Sequence, residues 1–245
     1  MPKDGKTKNL FRDGFVLLEE NFHQDSLVRR ITDIYLDEIV QIEAEATKPK
    51  VVYVVPLLEK IPQVSELFNS KLESIFHDYF GSNKWLIADI TAWRNYYWDE
   101  SISEDVNSDL WHNDESPTDT LKLFIILSNG VNERNGATRI LSIQDTKKVM
   151  RLGYFSRNTM TASSRKFLER KAEINFMSGN LGGSFIFNPQ ICLHSAGRVE
   201  KGSIRDVLCI TVASSRGPYN LDENLRALSR EQSRRAREGK SISWR

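Results

Sequence analysis

The spacing of apolar positions along the chain changes from helical to strand-like near residue 85. In "DSLVRRITDIYLDEIVQIEAEA", Leu27, Ile31, Ile34, Tyr35 and Ile39 recur at helical intervals behind Asp25 and Ser26, either of which can cap, so a helix with a charged outer side is expected. A second stripe, Leu67, Leu72, Ile75 and Phe76 in "VSELFNSKLESIFHDYFG", is ended by Gly81. The stripe predicts a second helix, and His77 lies on it, where a lone histidine is ordinarily structural. Ahead of both, the Asp13-Gly14 turn signal introduces a short strand, Phe15 to Leu18.

Later segments are rich in β-branched and aromatic residues: "WLIADITAWRNYYW", "LKLFIIL", "ATRILSI" after the Asn135-Gly136 turn, "GGSFIFNPQICLHSAG" folded at Asn188-Pro189, and "IRDVLCITVASS". Helices followed by many short strands joined at Gly, Pro and Asn turns predict an α+β fold with a jelly-roll or barrel. A basic, partly helical insertion from Asp145 to Glu173 interrupts the strands, and the arginine-rich tail from residue 221 reads as a surface helix that frays.

Composition narrows the picture. With 245 residues, 40% of them hydrophobic, one large domain is the default. A formal net charge of +1 provides no global field for nucleic acid or an anionic membrane, so neither is expected as a partner. The start carries no apolar leader and no run is long enough to span a bilayer, which makes a cytoplasmic protein the expectation. Cys192 and Cys209 are the only cysteines, too few for a disulfide framework, and read as reduced and packed.

Candidate chemistry gathers around "LWHNDES". Alternation along a strand sends His112 and Asp114 to one face and Asn113 to the other. An imidazole and a carboxylate so placed can take adjacent corners of a divalent metal, with His194 in "ICLHSAG" the candidate third ligand. Two histidines and a carboxylate on one face of an ion, the other face open, is the donor set of non-haem Fe(II) oxygenases. In "RDVLCITV", Arg205 shares a face with Val207, Cys209 and Thr211, and an inward arginine there needs an anion such as the distal carboxylate of 2-oxoglutarate. Arg198, in the loop "SAGRVEKGS", reads as solvated or gating.

On these residues the sequence resembles the phytanoyl-CoA dioxygenase-like branch of the Fe(II)/2-oxoglutarate oxygenases, over most of its length. "FRDGFVLLEENF" is similar to the family's N-terminal strand, "LWHNDES" to its HxD motif, "NERNGATRILS" to the loop after its next core strand, and "GGSFIFNPQICLHSAG" to its distal-histidine hairpin. The resemblance implies a double-stranded β-helix, a cupin-like jelly-roll with helices packed on one sheet, as a single domain over 1–245 with the strand core at about 85–215. It further implies that His112, Asp114 and His194 bind Fe(II), that Arg205 binds 2-oxoglutarate, and that Arg94 in "TAWRNYY" adds a co-substrate contact. Dioxygen and 2-oxoglutarate would be consumed, succinate and carbon dioxide released, and an unactivated carbon of a small molecule hydroxylated. Two positions depart from the family: "LSIQDTKK" replaces a "PGSH"-like loop, and Ala196 stands where relatives carry a hydroxyl.

Other readings compete with this one. A cupin-like zinc hydrolase or isomerase would use the same three ligands and leave Arg205 idle. A binding roll with a vestigial site would need no catalysis, and the three polar residues could simply sit at strand ends. A Cys192 nucleophile beside His194 lacks an orienting acid. If the insertion, with Lys147, Lys148, Arg151, Arg157, Arg165, Lys166, Arg170 and Lys171, closes over the roll, an anionic substrate is expected; otherwise it is a solvated face.

Overall fold

A computed structural model describes residues 5–20, 22–45, 51–81, 84–97, 110–116, 118–156, 159–217 and 219–238. The N-terminal part contributes α1 (Gly5–Asp13), β1 (Phe15–Leu17), α2 (Asp25–Glu45), β2 (Val51–Val54), α3 (Leu57–Lys60) and α4 (Ser70–Phe80). The expected second helix is divided: residues Pro62–Leu67 form a 3-10 turn, and α4 restarts behind Asn69, whose side chain accepts from the Lys71 and Leu72 amides. Two strands therefore precede the segment where the strand core was expected to begin.

The remaining chain forms β3 (Trp85–Tyr96), β4 (Thr120–Ile126), β5 (Thr138–Leu141), α5 (Ile143–Arg151), β6 (Tyr154–Ser156), β7 (Thr159–Met160), α6 (Ala162–Arg170), β8 (Ile174–Met177), β9 (Ser184–Phe187), β10 (His194–Ser195), β11 (Ile204–Ser214) and α7 (Leu221–Arg237). Six strands make an antiparallel sheet in the order β1-β9-β4-β11-β3-β2, and a second antiparallel sheet runs β10-β5-β8. Alternation gives the large sheet two different faces. Ile90, Ala92, Leu121, Leu123, Ile125, Leu208 and Ile210 pack beneath α2, α3 and α4 with Ile31, Tyr35, Leu57, Leu72 and Phe76. Phe124, Phe185, Phe187, Val207 and Cys209 on the opposite face share a buried cluster with Ile140 and Met177 of the small sheet. The two sheets thus lie face to face, with all the helices of the first cluster on one side.

The insertion and tail depart from expectation. Strand β5 stops at Leu141 because Ser142 accepts from the Asp145 amide and starts α5, so "ATRILSI" is only partly strand. Val149 of α5 and Leu168 of α6 pack on Leu141 and Leu193, the outer side of the small sheet, while Arg165, Lys166 and Arg170 are exposed. Among the described residues, α5 and α6 of the segment cover the back of that sheet; Arg157 lies outside the described residues. Helix α7 is docked along β3 where β2 no longer pairs with it: Asn224 bonds both the amide and the carbonyl of Ile87, and buried Gln232 donates to Ile90 O and accepts from Leu58 N. The polar tail covers a sheet edge that would otherwise expose unpaired backbone groups.

Candidate metal centre

His112 and Asp114 are not on a regular strand. His112 makes an isolated antiparallel bridge with His194, each amide donating to the other's carbonyl at 2.9 Å, and Asp114 N donates to Pro189 O. The same stretch hangs on the Asn188-Pro189 turn through Asn113, which donates to Gln190 O, and through Gln190, which accepts from Thr120 N and donates to Ser116 O. One turn thereby positions both the HxD segment and His194.

The three side chains converge. His112 Nε2 and His194 Nε2 each lie 3.6 Å from Asp114 Oδ1, and the three donor atoms all fall within 4.8 Å of one another. His112 Nδ1 donates to Leu110 O at 2.7 Å and His194 Nδ1 to Cys192 O at 3.1 Å; a carbonyl can only accept, so both Nε2 atoms present lone pairs. Carbonyl partners of this kind fix the tautomer and ring orientation of metal-binding histidines. Donors about 2.1 Å from a shared ion at right angles stand roughly 3 Å apart, so the triad needs only slight contraction to hold one. Burial pushes the His194 imidazole down to about 3, which keeps it neutral. Burial pushes the Asp114 carboxyl up, but Lys122, His194 and His112 outweigh it and hold it below its usual value, so the donor is a carboxylate. The chemistry of this donor set fits a divalent transition metal.

Arg205 reaches the same interior. It is 3% exposed, its Nη2 donates to Thr138 Oγ1 at 2.7 Å, and Thr138 shares a face of β5 with Ile140, which pairs with His194. Its Nε is buried without a partner, and no carboxylate meets its guanidinium among the described residues. Burial draws it from 12.5 to about 10. A buried cation without a counter-ion is an anion site in waiting.

Arg94 must be withdrawn as a co-substrate contact. It stands opposite Asp206 in the β3–β11 register, on the helix-covered face, whereas Arg205 pairs with Asn95 on the other. Its Nε and Nη2 bind Asp206 Oδ1 and Oδ2 at 2.8 and 2.9 Å, and Tyr35 donates to the same carboxylate. The guanidinium is part of the core and points away from the triad. His77 is likewise structural, accepting from Trp85 Nε1. Cys192 is buried with its thiol pushed up to about 12 by burial, which removes it as a nucleophile.

Sequence reasoning missed Lys122. It lies within the apolar run "LKLFIIL", yet its ammonium binds Asp114 Oδ2. A lysine facing the interior of a central strand was the available signal.

No family model matches the chain, and no curated protein matches it. Solved structures do. AviO1 from Streptomyces viridochromogenes Tue57 superposes with a TM-score of 0.60 at 14% identity, over 87% of this chain and 96% of that one. EctD from S. alaskensis, solved with 2-oxoglutarate and 5-hydroxyectoine, gives a TM-score of 0.60 at 13% identity over 86% and 76%. SnoN, a non-haem α-ketoglutarate-dependent epimerase from nogalamycin biosynthesis, gives 0.56 at 13% identity over 85% and 81%. The likeness establishes the fold. EctD was solved with 2-oxoglutarate and SnoN is named for its dependence on it, in line with the family the sequence resembles.

Proposed function

We propose that this protein is a non-haem Fe(II)- and 2-oxoglutarate-dependent dioxygenase, a single domain built on a double-stranded β-helix, that hydroxylates a carbon of a small molecule. The observation that carries the reading is the pairing of an inward His112–Asp114–His194 donor set with an interior arginine that has no carboxylate partner among the described residues. When bound, iron and 2-oxoglutarate supply oxygen activation, the co-substrate leaving as succinate and carbon dioxide. His112 and His194 would hold the ion through Nε2 and Asp114 through Oδ1, a donor set that suits an iron able to take co-substrate as well. Arg205, with the Thr138 hydroxyl beside it, takes the distal carboxylate of the co-substrate in its planar fork. Phe124, Phe185, Phe187 and Val207 wall the interior and keep water from it.

The presence of Asp114, where related halogenases carry a small residue, favours hydroxylation over halogenation. EctD's complex with 5-hydroxyectoine is in keeping with that outcome, and SnoN's epimerase chemistry marks the range the same fold can host. A zinc hydrolase or isomerase would account for the triad but not for an Arg205 that meets no carboxylate among the described residues. Supplying Fe(II), 2-oxoglutarate and oxygen without substrate tests the choice. Slow succinate formation that His112→Ala abolishes is expected; hydrolase or isomerase chemistry would yield none.

A further inference from the structure

We infer that Lys122 is a positioning residue of the metal centre: by holding Oδ2 of Asp114 it leaves Oδ1 as the one carboxylate donor turned toward His112 and His194. The inference rests on the metal-centre reading above.

In β4, Leu121, Leu123 and Ile125 face the helices, and Lys122, Phe124 and Ile126 face the space between the sheets. Lys122 is the single charge in a strand hydrogen-bonded on both sides, opposite Phe187 of β9 and Thr211 of β11. An ammonium there is costly unless paired, and Asp114 is its only ion-pair or hydrogen-bond partner among the described residues. The relation is reciprocal, because among the described residues no other side chain donates to Oδ2. One row of the sheet supports two parts of the triad: Phe187 packs its ring edge-on to His194, with centroids 4.9 Å apart, while the neighbouring Lys122 grips Asp114.

The division of the carboxylate has a chemical consequence. An unrestrained carboxylate can turn both oxygens to an ion and fill a second position, or rotate away from it. With Oδ2 engaged by Lys122, Asp114 occupies one position and the open face stays open for co-substrate. The lysine also offsets the charge of the ligand, which favours an anion such as 2-oxoglutarate beside it.

Cobalt(II) is the probe, titrated into metal-free full-length protein against a competing chelator while its visible ligand-field spectrum is followed. Loss of such outer partners weakens metal binding about 10–100-fold. Lys122→Met should show that loss together with a changed band intensity, and Lys122→Arg, which still donates to Oδ2, should recover most of both. Wild-type affinity and spectrum in Lys122→Met would overturn the inference while leaving the metal centre intact. Reduced thermal stability with unchanged cobalt binding would overturn it too, reducing Lys122 to a structural charge. Failure of the wild type to bind cobalt would overturn the metal-centre reading and this inference with it. Should Lys122→Met not fold, Lys122→Gln keeps a donor without the charge, and an intermediate loss is expected; equality with wild type refutes.

Discussion

Arg205 and Arg94 lie on opposite faces of one sheet, and their replacement should separate ligand binding from folding. Burial draws the Arg205 guanidinium from 12.5 to about 10, and at about 1.4 kcal/mol per unit the buried charge costs on the order of 3 kcal/mol in ligand-free protein. Its hydrogen bond to Thr138 returns about 1 kcal/mol. Arg205→Met, similar in length and apolar, is therefore expected to raise ligand-free stability by about 2 kcal/mol. It should also weaken 2-oxoglutarate binding by roughly 30-fold or more, since removing one partner of a buried, hydrogen-bonded charge pair costs about 2–5 kcal/mol. Arg94→Met does the reverse. Among the described residues it leaves Asp206, 1% exposed, with only Tyr35 for its carboxylate, and breaking a buried pair in this way costs about 3–5 kcal/mol. Protein that still folds should bind 2-oxoglutarate as before. Urea unfolding of the metal-free proteins gives the stabilities, and calorimetric titration of 2-oxoglutarate into the metal-loaded proteins gives the affinities. An Arg205→Met protein with unchanged affinity, or an Arg94→Met protein of normal stability and weakened affinity, would refute the assignment of faces.

Two further outcomes follow from buried groups and tight turns. His23 is 3% exposed, neither ring nitrogen has a hydrogen-bond partner among the described residues, and burial holds it at about 4 against 6.5 unfolded. The fold therefore favours the neutral form: its contribution is full above pH 6.5 and lost as pH falls toward 4, amounting to about 2 kcal/mol by pH 5. His23→Phe should remove that part of the slope in unfolding measurements between pH 8 and 5, and an identical slope would contradict the reading. Gly136 has φ 76, and a Cβ there would lie 2.9 Å from Arg205 Cδ, whereas Gly130, φ 73, faces open space. Alanine at either position should cost about 1 kcal/mol of backbone strain, but only Gly136→Ala should displace the Arg205 stem and weaken 2-oxoglutarate; equal affinities would show that the contact is slack.

The convergence of His112, Asp114 and His194 and the inward position of Arg205 were legible because each rests on a local rule. The i, i+2 spacing of His112 and Asp114 keeps its meaning in extended chain outside a sheet, and β11 alternates cleanly through Arg205, Val207, Cys209 and Thr211. Arg94 was misplaced because it shares a face of β3 with Ile90 and Ala92, which meet the helices, whereas Asp89, Thr91, Trp93 and Asn95 occupy the other face, where Trp93 packs on Phe124. Alternation gives parity, but packing on both faces hides which parity meets the site. Lys122 was lost in an apolar run since only the fold brings Asp114 over β4. The start of α5 carried a signal in Ser142 and Asp145, a cap pattern overridden by reading the β-branched stretch too far. Helix α7 could not be foreseen as docked, because Asn224 and Gln232 hold it through backbone groups of β3 that no hydrophobic pattern records.

The central claim, that the triad holds iron and Arg205 an oxo-acid beside it, is tested most directly without substrate or oxygen. Fe(II) and then 2-oxoglutarate are added anaerobically to the metal-free protein, and the visible charge-transfer absorption of the chelate is recorded, with His112→Ala as control. The account predicts a band in the wild type and none in the variant. A folded, iron-binding wild type that shows no band would contradict it and shift the assignment to the zinc hydrolase or isomerase reading.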